Sequence, residues 1–177
     1  MVYFLLNKPK GVVCTNSDPQ GRQRAIDIIR ARQRIFCAGR LDIDTSGLII
    51  LTNDSELANR LTHPRYKLAK TYVANLKGRI NSEQIKSLKK GIWLAEGKTS
   101  RATVKVLKNG YKQSLVEITI RQGLNRQIRR VLAKVNLPVR MLKRTRIGKL
   151  DTRGLGVGKF RRLTMAEVAY LRKVTSY

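Results

Sequence analysis

The sequence predicts an α+β fold: a mixed, mainly antiparallel sheet with flanking helices. Three observations predict it. Apolar runs of five or six residues, short enough for strands, recur between turn residues. One pair of runs brackets Asn109-Gly110, a hairpin signal because both turn positions favour positive φ. The helical patterns are few, separately punctuated, and do not alternate with strands in a βαβ rhythm.

Each element follows from its own residues. Val2 to Leu6 and Gly11 to Thr15 are strand signals set around Asn7-Lys8-Pro9-Lys10, which reads as a turn. Ile35 to Gly39 and Leu48 to Thr52 are the next two, enclosing the loop Gly39-Arg40-Leu41-Asp42-Ile43-Asp44-Thr45-Ser46-Gly47. Asn53 to His63 is a helix opened by Asn-Asp-Ser-Glu, an N-cap with Glu three residues on. Ser82 to Lys90 is a second helix, stopped by Gly91 as a left-handed cap. Thr103 to Leu107 and Leu115 to Ile120 are the two arms of the predicted hairpin. Asn125 to Asn136 carries Ile128, Val131, Leu132 and Val135, the stripe of a helix packed on a sheet. Thr164-Met165-Ala166-Glu167 is a capping box that starts a C-terminal helix. No repeat, low-complexity stretch or linker divides residues 1–177, so one domain is expected.

Composition narrows the function. The chain has 38 Lys and Arg against 11 Asp and Glu, a formal charge of +27. Such a field suits nucleic acid or an anionic membrane face, and not a small neutral substrate. The 42% apolar content excludes a disordered basic tail. No apolar stretch approaches the roughly 18–20 residues of a membrane span. At the N-terminus the apolar run precedes the charges, the reverse of an export signal, so the chain is expected in the cytoplasm. Cys14 and Cys37 are expected there as buried thiols. One histidine and no Cys-x-x-Cys pair leave too few ligands for a zinc site; His63 suits a surface or capping role at a helix end.

The charge is uneven. Residues 121–162 hold fourteen basic residues and one acid, Asp151. Arg126, Arg129 and Arg130 lie on the predicted helix, and Arg140, Leu142, Arg144 and Arg146 share one face of the strand after it, a ladder suited to phosphates. Four of the eleven acids, Asp42, Asp44, Asp54 and Glu56, lie within fifteen residues. The macrodipole of a helix N-terminus accounts for Asp54 and Glu56. Asp42 and Asp44 sit in a loop of a protein that approaches phosphates, where a carboxylate costs affinity. An Asx-turn, a Mg²⁺ site and a carboxylate reacting with nucleic acid are the three explanations the residues leave open. A non-catalytic RNA-binding protein fits the composition, and a Mg²⁺ nuclease using Asp42, Asp44 and Asp54 fits the acids.

The run Gly39 to Asp54 resembles the signature of the pseudouridine synthases that modify ribosomal RNA, in the branch of the small-subunit uridine synthase and its large-subunit relatives. Asn7-Lys8-Pro9-Lys10-Gly11 resembles that branch's opening strand and turn. Lys70-Thr71-Tyr72-Val73-Ala74 resembles its tyrosine motif. Gly123 to Arg130 resembles its arginine helix, Leu142 to Gly148 its following strand, and Arg162-Leu163-Thr164 with Glu167 its terminus. The motifs occur in the expected order along nearly the whole chain. The first catalytic strand stands at the start of these residues, so the branch's small accessory RNA-binding domain is not expected, a layout most like large-subunit members.

The resemblance implies two subdomains sharing a central cleft, and an enzyme that breaks the N-glycosidic bond of a uridine in 23S ribosomal RNA and rejoins the base through C5. Such an isomerisation gains and loses no atom, so neither cofactor nor metal is expected. The resemblance makes Asp42 the reacting carboxylate, as nucleophile at C1′ or base at C2′, and Arg129 the guanidinium that keeps it ionised. Taken alone, Arg129 reads first as a phosphate contact. Tyr72 matches the residue whose ring stacks on the base and whose hydroxyl is a candidate base for the C5 proton; alone, it reads as a core or surface residue. Leu142 and Ile128 are expected as the apolar wall under the uracil, Arg40 as filling the space of the flipped base, and Arg126, Arg130 and Arg144 as RNA contacts. Asp44 is expected to be structural, the chain a monomer, and ribosomal RNA its partner.

Overall fold

The computed structural model describes residues 1–176. In chain order it comprises β1 (Tyr3–Lys8), α1 (Ala25–Ile29), β2 (Phe36–Ala38), β3 (Thr45–Thr52), α2 (Ser55–Thr62), β4 (Lys70–Lys77), α3 (Ser82–Lys90), β5 (Trp93–Leu94), β6 (Gly97–Lys98), β7 (Thr103–Asn109), β8 (Gln113–Ile120), α4 (Gln127–Lys134), β9 (Val139–Ile147), β10 (Leu150–Asp151), β11 (Phe160–Arg162) and α5 (Met165–Val174). One sheet runs β11-β1-β3-β9-β4-β8-β7, with β2 added to β3 and β10 to β9. Every pairing of named strands is antiparallel except β3 with β9, which run parallel over Thr45–Gly47 and Leu142–Arg144. The α+β, mainly antiparallel expectation is met. The two halves are joined through that short parallel ladder, in a continuous sheet.

Period-two alternation decides what each face buries. Phe4 and Leu6 of β1 with Ile49 and Leu51 of β3 join Ala74, Leu76, Val116 and Ile118 in one core, closed by Ile128, Val131 and Leu132 of α4. Leu5, Leu48 and Ile50 point the other way, onto Leu57 and Leu61 of α2 and Val168 and Leu171 of α5. Helix ends are fixed as the caps require. Thr164 Oγ1 accepts from Glu167 N at 3.2 Å while Glu167 returns a bond to Thr164 N at 2.8 Å. His63 caps the 3₁₀ turn Pro64–Tyr66, its Nδ1 accepting from Arg65 N.

Several local expectations are corrected. β1 runs on through Lys8, so the turn begins later than Asn7; the Lys8 ammonium is fully buried and donates to Val12 O at 2.7 Å and Pro9 O at 3.0 Å. Gly11 to Thr15 is not a strand; Val13 makes only an isolated bridge to Arg24. The N-cap of α2 is Asp54, because Asn53 Oδ1 is taken by the Val2 amide. The predicted hairpin forms, but Asn109 pairs within it and holds Ile80 through both side-chain atoms, while Gly110 N bonds Gln113 O. The turn therefore falls at Tyr111 and Lys112.

Candidate active site

Asp42 lies on the loop between β2 and β3, and backbone contacts fix that loop on each side of it. Leu41 is buried, and its N donates to Cys14 Sγ at 3.5 Å. Gly11 N donates to Ile43 O at 2.8 Å, and Thr45 N closes the turn on Asp42 O at 3.0 Å. Its neighbours come from the central strands. Tyr72 of β4 is in register with Arg144 of β9, which is in register with Gly47 of β3. Two residues along, Ala74, Leu142 and Thr45 form the next row on the same face. The β3–β9 junction thus brings three distant segments of sequence together beside the loop.

These residues line a cavity of about 370 Å³, with Arg40, Leu41 and Asp42 from the loop, Lys70 and Tyr72 from β4, Leu142 and Arg144 from β9, and Leu124, Arg126 and Ile128 at the entry to α4. That volume suits a small organic group. Tyr72 and Leu142 are 8% and 5% exposed and form a packed part of the wall, and the acid among the lining residues is Asp42. Arg144 Nε donates to Leu48 O at 2.7 Å, and its Nη1 to the Tyr72 hydroxyl at 3.4 Å.

The carboxylates are held by two arginines from one helix start. Arg126 caps α4 in the left-handed region, at φ 45° and ψ 30°, which is uncommon for a residue with a side chain. There its Nη1 lies 3.4 Å from Asp42 Oδ2 and 3.2 Å from Asp44 Oδ1. Arg129 Nη2 lies 3.2 Å from Asp44 Oδ2 and donates to Asp44 O at 3.1 Å. Burial acts to raise the Asp44 carboxyl, but the Arg126 hydrogen bond and the two guanidinium charges outweigh it and hold it below the usual carboxylate range.

Of the expected site residues, Asp42, Tyr72, Arg40, Ile128, Leu142, Arg126 and Arg144 line the cavity. Three placements differ from expectation. The guanidinium on Asp42 is Arg126, and Arg129 instead ties Asp44 and the loop backbone to α4. Arg130 points away and forms a two-pronged pair with Glu96, at 2.7 and 2.6 Å. Arg144 is 4% exposed and is no rung of a phosphate ladder, because β9 lies between β3 and β4 and the middle of its face is interior. Nor is 121–162 one free basic surface: Arg126, Arg129, Arg130, Arg146, Arg153 and Arg161 are all paired with acids. Six of the fourteen basic residues of this segment are thus neutralised within the chain.

One lining residue was not singled out from sequence. Lys70 stands two positions before Tyr72, a strand spacing that returns to the same face. Burial and the Arg144 charge pull its ammonium down to about 8.

The family model for RNA pseudouridylate synthase matches residues 2–134. The ribosomal large subunit pseudouridine synthase B of Bacillus subtilis is 45% identical over 99% of this chain and 73% of its own length. An uncharacterized RNA pseudouridine synthase of Aquifex aeolicus is 39% identical over 97% of this chain and 70% of its own. A crystal structure of a pseudouridylate synthase superposes with a TM-score of 0.88 at 31% identity, covering 96% of this chain and 73% of that one.

Proposed function

Because this chain belongs to the RNA pseudouridylate synthase family, which isomerises uridine to pseudouridine, we propose that its substrate is a uridine of large-subunit (23S) ribosomal RNA and that Asp42 is the carboxylate that acts on it. The observation that carries the assignment is the cavity itself, where Asp42 is the acid and stands with Tyr72, Ile128 and Leu142.

The target nucleotide is flipped into the cavity, at a cost of about a few kcal/mol of unstacking. The uracil lies on Tyr72 between the walls of Leu142 and Ile128. Exposed Arg40 at the mouth occupies the space the base has left, and Arg126, 3.4 Å from the Asp42 carboxylate, holds it beside the ribose. Asp42 then attacks C1′ or takes the C2′ proton; both routes release the base from N1, and both need one carboxylate, no water and no second acid. The base turns and rejoins through C5, and the Tyr72 hydroxyl, oriented by Arg144, takes the C5 proton. Arg129 serves by fixing the loop through Asp44. The relative named for the ribosomal large subunit supports the choice of RNA. We infer a cytoplasmic monomer that works without cofactor or metal.

Tritium release from C5-labelled uridine in 23S ribosomal RNA tests this. Release should persist in EDTA and vanish in Asp42→Ala while RNA binding is retained. Turnover by Asp42→Ala would sink the assignment.

A further inference from the structure

Two cations withdrawn from solvent in the cavity have no acid among the described residues. Arg144 is 4% exposed, and its hydrogen-bond partners are a carbonyl and the Tyr72 hydroxyl, neither of them charged. Lys70 is half-buried, its Nζ resting 3.9 Å from where a Cβ on Gly123 would stand, and it makes no side-chain hydrogen bond or ion pair among the described residues. The acid of the cavity, Asp42, is already matched by Arg126. Burying positive charge without a counter-charge is costly, and a site that tolerates it is built to receive negative charge from a ligand.

We propose that Lys70 is a catalytic residue whose ammonium, beside the Arg144 guanidinium, stabilises the negative charge that the uracil carries while it is detached from the ribose. The inference rests on the assignment of this cavity to the target uridine. When the C1′–N1 bond breaks, its electron pair stays on N1 and spreads to O2 and O4 of the base. The ribose is completed either by a bond from the Asp42 carboxylate to C1′ or by loss of the C2′ proton to Asp42. On return the C5–C1′ bond forms, Asp42 leaves C1′ or gives its proton back to C2′, C5 loses a proton and N1 gains one. Uracil is neutral before and after, and anionic only between. A fixed ammonium at its edge therefore acts on the transition state and hardly on substrate binding, which is how a preorganised charge raises kcat.

The charged and titratable groups sharing the cavity are Tyr72 on β4, Arg144 on β9, Arg40 and Asp42 on the loop, and Arg126 at α4; β8 contributes Ile120 alone. With Arg144 beside it, the lysine loses its proton near pH 8, so the stabilising charge is present below that pH and lost above it.

Single-turnover tritium release at saturating RNA, from pH 6 to 9.5, with RNA affinity measured in parallel, tests the role. Wild type should lose rate as pH rises through about 8. Lys70→Met should be slowed about 100-fold, with RNA affinity within threefold of wild type and no such limb. Lys70→Arg should keep a tenth or more of the rate, with the limb moved above pH 9; it also guards against a folding defect in the methionine variant. A Lys70→Met rate within threefold of wild type, an equal loss of RNA affinity (a phosphate contact), or a rate that climbs through pH 8 (an amine acting as base) would each overturn the proposal. Release by Asp42→Ala, by contrast, would overturn the assignment of the cavity and not the role of the lysine charge.

Discussion

A Cβ placed on Gly47 would stand 2.2 Å from the carbonyl oxygen of Arg144. Gly47 also holds φ at 112°, a conformation that side chains resist. The two residues are partners in the parallel ladder that joins the halves of the sheet, and Arg144 is in turn the partner of Tyr72. Close approach of β3 to β9 is therefore a condition for the cavity to exist.

Gly47→Ala should accordingly destabilise the fold by about 3 kcal/mol, since the obstruction is backbone and cannot swing aside. Urea unfolding should show a lower midpoint at unchanged slope. Because the strain falls on the Arg144 and Tyr72 register, tritium release by the folded variant should drop at least tenfold. A variant as stable as wild type would mean the strands are not so close.

Arg126 and Arg129 should separate in their effects. Arg126→Gln removes the guanidinium that touches both Asp42 and Asp44, so it should lower single-turnover rate about tenfold at neutral pH. Arg129→Met removes the bond to the Asp44 carbonyl and one of the two guanidinium contacts to its carboxylate while Arg126 stays in place, so it should lower rate and thermal stability together. Unchanged thermal stability in Arg129→Met, or an unchanged rate in Arg126→Gln, would contradict the pairing described above.

Acid stability should depend on the network beneath β1. The Asp54 carboxylate accepts from Leu57 N at 3.0 Å, from the Tyr3 hydroxyl at 2.7 Å and from Arg172 at 2.6 Å. Burial raises its carboxyl, yet those hydrogen bonds and the Arg172 charge hold it below the usual range. A depressed folded-state value means the contribution is complete above the unfolded value of about 4 and is lost as pH falls through the folded one. Asp54→Asn keeps the cap acceptor but should cost about 2 kcal/mol at pH 7, where it unpairs Arg172 and removes a negative charge from the helix N-terminus, and much less at pH 2. Denaturant titrations at the two pH values measure the difference; an equal cost at both would show that charge plays no part.

Much of this was legible in the chain. Strand length, the capping box at Thr164 and the Ile128–Val131–Leu132 stripe are local properties, and local sterics and hydrogen bonding decide them. Asp42 was legible for a different reason, as a carboxylate in a basic protein without an evident structural use. The pairing of charges was not. Which arginine meets Asp42 depends on the left-handed turn at Arg126, and the order of motifs along a chain carries no trace of that. Arg144 reads as a surface cation in any strand pattern, and it becomes interior only because β9 is flanked by β3 and β4. Lys70 escaped notice for the same cause: a lysine is ordinary in sequence and distinctive only where no acid answers it. By itself the sequence determined most of the elements and the excess of charge, and it singled out the carboxylate we propose to react, because each rests on residues near one another in the chain. Which cations were neutralised and which were left facing the cavity was decided by tertiary structure alone, since Coulomb interactions follow distance in space and not separation in sequence.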